Sequence, residues 1–320
     1  MDKNERINRE GFYDKLSNLL SHNIDYIWMA VFSRIYFLKR IFLHLSRSNS
    51  VNKPDLKEMR FGDVVELMAG VTAEEILSDL HKEGCSPKLK LSGKTASEMI
   101  SYAHEIPCYA YGDPKKGFRL EDKCSYEEYL GTDILLAKYL NFQNKDVFKD
   151  FRHSDLLRDI AKNYLGNSAE CIATQLWWTF PADVDDSTRS EAAHFFHRDV
   201  DAWGFVKFFF YLSNVSEGGG AHVYVKRSHK PSTLKQIFYE KLRINRHHDC
   251  SIKKHFGCES ITPFYGPIGM GIAADTFGFH KGESPEKNPR LMLCAVYASK
   301  DYGVQDFNID PKELGDVFGQ

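Results

Sequence analysis

The pattern of apolar and polar positions divides the chain into a helical first half and a β-rich second half. Residues 24–45 repeat apolar side chains every three or four positions, which is the spacing of an amphipathic helix. Two T-x-x-E sequences, beginning at Thr72 and Thr95, precede further apolar positions and predict capping boxes at two helix starts. Residues 133–140 and 156–164 are also predicted to be helical.

After position 171 the pattern changes to short runs of β-branched and aromatic residues, separated by turns that contain glycine or proline. Runs of this length and composition predict β-strands. Several short strands at near-regular spacing are typical of a β-sandwich or a jelly roll. The predicted strands are residues 172–180, 205–212, 222–225, 271–279 and 291–298.

These patterns predict an α+β protein with an N-terminal part and one main domain. Residues 1–60 are expected to form an amphipathic helix and a linker, and residues 61–320 the main domain. Within the main domain we expect a helical part at 61–168, a jelly-roll core at 169–300 and a C-terminal tail at 301–320. A charged stretch between the later strands, residues 232–260, is interpreted as an insertion.

Composition excludes several classes of partner and location. The 42 Lys+Arg and 44 Asp+Glu nearly cancel, and no basic stripe is interleaved with aromatics, so a nucleic-acid partner is not expected. Seven irregularly spaced cysteines indicate reduced thiols and a cytoplasmic location. The polar N-terminus lacks the apolar core of a signal peptide, and no apolar run reaches the roughly 20 residues that cross a bilayer.

The helix at 24–45 has two interpretations. Its other side carries Arg34, Lys39 and Arg40, and a basic amphipathic helix can lie on a membrane surface. Packing of the apolar side on the body of the protein or on a second subunit is the favoured alternative, because this buries the same area without a membrane. The oligomeric state does not follow from the sequence.

The triplet His197-Arg198-Asp199 is the first candidate for chemistry. On an extended strand its histidine and carboxylate point to one face, because strand side chains alternate with period two. Iron(II) oxygenases bind their metal through two histidines and one carboxylate on a single face. His280, directly after a predicted strand, supplies the third ligand, and Arg290 can clamp a carboxylate. Alone, the triplet is short enough to occur by chance.

A family resemblance is carried by the run FHRDVDAWGFVKFFFYLSNVSEGGGAHVYVKRSHK and by the later run DTFGFHKGESPEKNPRLML. Both resemble the phytanoyl-CoA dioxygenase family of iron(II)/2-oxoglutarate-dependent oxygenases. The resemblance covers about residues 170–300 and, faintly, residues 90–110. It implies a double-stranded β-helix core, the jelly roll of the cupin-like oxygenases, with helices around it.

The resemblance also implies roles for individual residues. His197, Asp199 and His280 match the iron ligands, and Arg290 matches the residue that binds the distal carboxylate of 2-oxoglutarate. The implied cofactors are Fe(II), 2-oxoglutarate as cosubstrate, and O2. The implied reaction hydroxylates a small organic or lipid-like substrate and releases succinate and carbon dioxide. One position departs: Arg227 stands where many relatives have the glycine of a Gly-Ser-His sequence, which bears on the shape of that loop.

Further candidates have a structural alternative beside a functional one. Lys207 interrupts an apolar strand and can contact 2-oxoglutarate or extend to solvent. Gln175 and Trp177 alternate with apolar residues, so they can line the cofactor pocket, although sheet packing is favoured. His194 and His222 are interpreted as structural histidines.

Two other functions stay open at this level. One is a cupin-like metal enzyme that does not use 2-oxoglutarate. The other is a module that binds a membrane surface or a partner and has an inactive oxygenase fold. A degenerate site would be expected to have lost a ligand or the arginine, and the sequence keeps all four residues.

Overall fold

The computed structural model describes residues 24–33, 38, 41, 64–230, 246–303 and 309–319. In those ranges the strands are β1 (Val65–Leu67), β2 (Cys85–Leu91), β3 (Cys108–Ala110), β4 (Gly117–Phe118), β5 (Leu136–Lys138), β6 (Glu170–Thr179), β7 (Phe205–Tyr211), β8 (His222–Val225), β9 (Ile261–Phe264), β10 (Met270–Ala274), β11 (His280–Gly282) and β12 (Arg290–Ala298). The α-helices are α1 (Ile24–Phe32), α2 (Ala73–Lys82), α3 (Gly93–Glu105), α4 (Lys123–Leu130), α5 (Asp146–Arg152), α6 (Asp155–Leu165), α7 (Asp186–Glu191) and α8 (Asp249–Phe256).

The strands form two sheets in which all described strand pairs are antiparallel. The large sheet has the order β1-β2-β10-β7-β12-β6-β5-β3-β4, and the small sheet has the order β11-β8-β9. A backbone bridge between His197 and His280 adds the H-x-D segment beside β11. From β6 to β12 the chain therefore crosses repeatedly between the two sheets, which is the winding of a jelly roll. The predicted double-stranded β-helix core is confirmed.

Both faces of the large sheet are covered. On β7, Phe208 and Phe210 belong to the apolar cluster under the helices, whereas Phe209 and Tyr211 belong to the cluster between the two sheets. Alternation along a strand separates the two sets, and burial of both explains why β7 is apolar almost without interruption. The interior between the sheets is thus lined by every second residue of each core strand.

Two of the predicted helix starts have different outcomes. The capping box at Thr72 is confirmed at the start of α2, with side-chain and backbone hydrogen bonds in both directions between Thr72 and Glu75. The box predicted at Thr95 is wrong, because Ser92 caps α3 and accepts a hydrogen bond from the Thr95 backbone N–H at 3.1 Å. The chain leaves β2 at Leu91, so the helix starts as soon as the sheet ends.

The helix predicted at 133–140 is also wrong. This segment contains β5, which pairs with β6 and β3 in the large sheet. Short apolar runs do not distinguish helix from strand, and here the pairing with β6 decides. More broadly, the predicted helical part at 61–168 contributes β1 to β5 to the edges of the large sheet. The partition into 1–60 and 61–320 stays a prediction.

The N-terminal helix is confirmed over α1, and most of residues 34–45 lie outside the described part of the chain. Met29 is buried in the cluster between the sheets, whereas Trp28 and Val31 are 58% and 53% exposed. Trp28 and Val31 are among the apolar positions that the spacing over 24–45 assigns to one face of the helix, so that face is not the packed one. Almost all residues of α1 are apolar, so tertiary contacts choose the buried side.

Two expectations from composition can be compared with the structure. All seven cysteines are free thiols, as their irregular spacing predicts. In the described ranges, every helix is too short or too polar to cross a membrane. Contact of α1 and the residues after it with a membrane surface stays a prediction.

The cap of α3 can be tested by substitution. Ser92→Ala removes the side-chain acceptor at the helix start, and we expect it to lower the free energy of unfolding by about 1 kcal/mol. Glu98→Ala is the matched control, because the predicted box at Thr95 would need Glu98 and the observed cap does not. Urea denaturation of both variants measures the difference. A larger loss for Glu98→Ala would contradict the observed cap.

Candidate metal centre

Two histidines are placed side by side by the small sheet. The His197 backbone N–H donates to His280 O at 2.9 Å, and the His280 N–H donates to His197 O at 3.0 Å. Residues opposed in this way carry their side chains on the same face. The two imidazole centroids are 4.2 Å apart. The predicted strand at 271–279 ends at Ala274, and a turn then carries the chain from the large sheet to His280.

Asp199 completes a compact group. Its backbone N–H donates to Thr276 O at 2.9 Å, which holds the segment beside the turn before His280. One carboxylate oxygen lies 3.3 Å from His280 Nε2, and the other lies 3.6 Å from His197 Nε2. The three ligand atoms lie within 4.8 Å of one another, and no other such group exists in the described ranges. Two imidazoles and one carboxylate are the donor set that suits iron(II).

Backbone carbonyls orient both imidazoles. His197 Nδ1 lies 3.0 Å from Phe195 O, and His280 Nδ1 lies 3.0 Å from Gly278 O. A carbonyl can only accept, so each Nδ1 carries the proton and each Nε2 offers its lone pair to the group's centre. The sequence predicted the three residues but not these partners.

The protonation states also suit a metal ligand set. Burial lowers the pKa of His197 well below its ordinary value, and His280 lowers it further, so the ring stays neutral. Burial alone would raise the pKa of Asp199. Lys207 and His280 outweigh burial and hold the pKa of Asp199 well below its ordinary value. The carboxylate is therefore ionised at neutral pH.

Arg198 lies between the two ligands of the triplet, and its side chain fixes the segment to the aromatic cluster on the opposite face. Its guanidinium lies 4.8 Å from the centre of the Phe277 ring and 4.5 Å from that of Phe279. It also donates to Ser228 O at 2.5 Å. Such cation–π contacts stabilise a charged side chain in an aromatic setting. Sequence reasoning missed this role, since the middle residue of the triplet carries no motif signal.

The loop after β8 explains the departure at Arg227. This residue has a φ of 67°, in the left-handed region that glycine adopts without steric cost. The backbone of Arg227 is therefore strained, and its side chain forms an exposed ion pair with Glu83 at 3.1 Å. Arg227 therefore affects the shape of a turn, as the sequence predicts.

The Lys207 side chain points into the interior and forms ion pairs beside the metal triad. Its Nζ lies 2.8 Å from Asp199 Oδ2 and 2.9 Å from Asp201 Oδ2. The side chain does not extend to solvent, so that alternative is wrong, while its contact with 2-oxoglutarate stays a prediction. Burial raises the pKa of Asp201, although Lys207 opposes the shift. Asp201 was not singled out in the sequence.

Arg290 stands at the first position of β12 and is buried. One terminal nitrogen donates to Thr179 Oγ1 at 3.0 Å, and the other donates to Gly220 O. Its Nε is buried and has no hydrogen-bond partner in the described part of the chain. Burial lowers the pKa of Arg290, yet a guanidinium keeps its charge at neutral pH.

The remaining candidates lie around this interior. Gln175 and Trp177 face Cys294 and Met292 across the β6–β12 pairing, which places them on the face toward the small sheet. Their part in cofactor binding stays a prediction. The His222 ring is 5.7 Å from that of His280, yet His222 is outside the triad.

His194 also lies outside the triad. Its Nδ1 is 2.5 Å from Ser284 Oγ. Burial, aided by the charge of Arg290, lowers the pKa of His194 to about 3. A neutral, buried histidine fits the structural role that the sequence indicates.

Comparisons with known proteins place the chain among solved structures but not in a family. No family model matches, and no curated protein matches. HygX from Streptomyces hygroscopicus, solved with nickel, 2-oxoglutarate and hygromycin B, is 14% identical over 70% of this chain and 86% of its own, with a TM-score of 0.46. EctD from S. alaskensis, solved with 2-oxoglutarate and 5-hydroxyectoine, is 14% identical over 82% and 99%, with a TM-score of 0.48.

A third similar structure is SnoN, described as an α-ketoglutarate-dependent epimerase from nogalamycin biosynthesis. It is 13% identical over 76% of this chain and 91% of its own, with a TM-score of 0.45. At such low sequence identities the similarity concerns the fold alone.

Removing a member of the triad should abolish tight metal binding. We expect Asp199→Ala and His280→Ala to weaken binding of Fe(II) or Co(II) by more than about 100-fold. Substitution of residues that only hydrogen-bond the metal ligands lowers metal affinity by roughly 10–100-fold, and loss of a ligand itself should have a larger effect. His222→Ala is the matched control, since it removes a neighbouring buried histidine outside the triad. Anaerobic equilibrium dialysis measures binding, and circular dichroism checks folding. Full metal content in folded Asp199→Ala would contradict the assignment.

Lys207 offers a test of the buried charges. Lys207→Met leaves Asp199 and Asp201 without their cation, and we expect the metal-free protein to lose about 3–5 kcal/mol of unfolding free energy. A bound divalent cation restores a positive charge beside Asp199, so the loss should be smaller in metal-loaded protein. Denaturation with and without metal gives both values. Equal losses in the two forms would contradict this account.

Proposed function

We propose that this protein is an iron(II)- and 2-oxoglutarate-dependent oxygenase. The observation that supports this most directly is the convergence of His197, Asp199 and His280, whose ligand atoms lie within 4.8 Å. The two Nε2 lone pairs and an ionised carboxylate on one face would hold iron(II) and would leave its remaining positions open to other ligands. When bound, iron and 2-oxoglutarate supply the oxidising power that inserts one oxygen atom of O2 into a C–H bond, with release of succinate and carbon dioxide.

Arg290 is the residue that would bind the distal carboxylate of 2-oxoglutarate. Thr179 and Gly220 hold its two terminal nitrogens, so the guanidinium is already oriented before a ligand arrives. Its buried Nε keeps an unused donor in the described part of the chain. A buried, pre-oriented guanidinium binds a carboxylate strongly because the hydrogen bonds are charge-assisted.

The interior also suits a reaction that must exclude water. Phe209 and Tyr211 of β7 and Met292 of β12 are buried between the sheets. An apolar lining keeps bulk water from the reacting atoms and strengthens the electrostatic contacts inside. The carboxylate of Asp199 favours hydroxylation over halogenation, because the halogenases of this kind have a small residue at that ligand position. The proposed substrate is a small organic or lipid-like molecule.

A cupin-like metal enzyme without 2-oxoglutarate is the alternative that uses the same triad. In that case Arg290 would have no anion to bind, and a buried guanidinium with an unused donor is costly. The structure of the Arg290 site therefore favours the 2-oxoglutarate account.

Anaerobic titration tests the cosubstrate. Wild-type protein with Fe(II) and 2-oxoglutarate should develop the weak visible charge-transfer band of the chelate. We expect Arg290→Ala to raise the 2-oxoglutarate concentration needed by roughly 10–100-fold, the cost of losing charge-assisted hydrogen bonds, while iron binding stays unchanged. A folded, iron-loaded wild-type protein without the band would remove 2-oxoglutarate from the account. Turnover is then sought as succinate formed above the uncoupled background, with a product heavier by one oxygen atom.

A further inference from the structure

Arg246 lies beside the metal triad on a segment that the metal chemistry does not use. The His247 N–H donates to Phe196 O at 2.8 Å, and the Phe196 N–H donates to His247 O at 3.1 Å. This is one antiparallel pair, so the next pair in register is His197 with Arg246. Opposed residues carry their side chains on the same face, which places Arg246 on the face of the metal ligands.

The opposite face is already filled. Phe196 belongs to an apolar cluster with Phe279 and with Ile252 of α8, and the His247 ring is 5.2 Å from that of Phe279. Alternation then turns Arg246 toward the interior between the sheets. Electrostatics agree with this placement, because the charge of Arg246 contributes to lowering the pKa of His197.

Like Arg290, Arg246 keeps one buried guanidinium nitrogen without an acceptor in the described part of the chain. Lys207 is paired with Asp199 and Asp201, and Arg290 donates to Thr179 and Gly220. Nη1 of Arg246 is buried and donates no hydrogen bond to any described residue. Burial lowers the pKa of Arg246, and the carboxylate of Asp199 only partly offsets this. A buried guanidinium nitrogen without an acceptor costs stability, so its position is best explained by a ligand that supplies the acceptor.

With iron(II) and 2-oxoglutarate bound, the charges of the metal centre would be balanced without Arg246, which leaves Arg246 free to bind another anion. Iron(II) would be offset by Asp199 and by the chelating carboxylate of 2-oxoglutarate, and Arg290 would offset the distal carboxylate. Arg246 lies opposite His197, next to the bridge between Phe196 and His247, whereas Arg290 stands in the large sheet at the start of β12. The two arginines therefore approach the centre from different segments.

We propose that Arg246 binds an anionic group of the substrate, a carboxylate or a phosphate, and holds the substrate beside the metal centre. This rests on the proposed oxygenase function and narrows its substrate to an acid or a phosphate ester. A planar guanidinium suits both groups, because it can donate two parallel hydrogen bonds to two oxygens.

The segment that carries Arg246 is anchored on both sides. The backbone pair with Phe196 holds it to the H-x-D segment, and Asp249 at the start of α8 accepts from Lys281 Nζ at 2.8 and 2.9 Å. Lys281 directly follows the ligand His280. An arginine held by such a frame loses little conformational freedom on binding, which favours affinity.

The test uses the full-length protein loaded with Mn(II) and 2-oxoglutarate, so that no turnover occurs. The probes are inorganic phosphate, followed by its ³¹P relaxation, and acetate, followed by its methyl ¹H relaxation, since Mn(II) accelerates relaxation of nearby nuclei. Wild type should show a saturable acceleration for at least one probe. Arg246→Gln should weaken that binding about tenfold or more, and Arg246→Lys should retain part of it.

Arg158→Gln is the matched control, because it removes the same charge from the surface of α6, where Arg158 pairs with Asp155. It should behave as wild type. The probe that saturates identifies the group: phosphate indicates a phosphate ester, and acetate indicates a carboxylic acid. Saturation by neither probe in wild type, or equal saturation in wild type and Arg246→Gln, would overturn the proposal.

A second readout separates this inference from the proposed function. Arg246→Gln should form the Fe(II)–2-oxoglutarate charge-transfer band at the same 2-oxoglutarate concentration as wild type. If it needs as much more 2-oxoglutarate as Arg290→Ala does, Arg246 belongs to the cosubstrate site and the proposal fails. If wild type itself forms no band, the oxygenase function fails, while the relaxation measured with Mn(II) alone still reports on Arg246.

Discussion

The two backbone hydrogen bonds between His197 and His280 are the constraint on which the rest of the site depends. They join the H-x-D segment to β11 and thereby set the register in which both imidazoles share one face. A shift by a single residue would turn one imidazole to the opposite face, where Phe196 and Phe279 pack. On its other side the same segment pairs through Phe196 with His247, which aligns Arg246 with His197, so metal binding and the inferred substrate contact both depend on how this segment is held.

The interior between the sheets holds an unusual concentration of charge for a buried space. Lys207, Arg246 and Arg290 enter it from three different segments, and only Lys207 is neutralised by carboxylates in the described part of the chain. Burying charges costs more free energy than pairing returns unless the geometry is good. Such an arrangement is poorly explained by stability and well explained by anionic ligands. The aromatic lining raises the cost of each unpaired charge and, equally, the affinity for an anion that fits.

Much of the core could be predicted because its signals are local. The strands β6, β7, β8 and β12 follow their β-branched and aromatic runs closely, and the H-x-D spacing matches the period of a strand. The errors occur where neighbours far along the chain decide. Residues 133–140 form part of a sheet because β6 is beside them, and α1 buries Met29 rather than Trp28 because of the surface on which it lies.

The sequence by itself determined which residues can bind a metal, because His197 and Asp199 are two residues apart in one segment and are both metal-ligand types. It also indicated His280 and Arg290 through their places beside predicted strands. Only the tertiary structure decided that Lys207 reaches Asp199 and that His247 pairs with Phe196, which aligns Arg246 with His197. The physical reason is that these contacts depend on register between strands remote in sequence, and register is set by the packing of the whole core rather than by local periodicity.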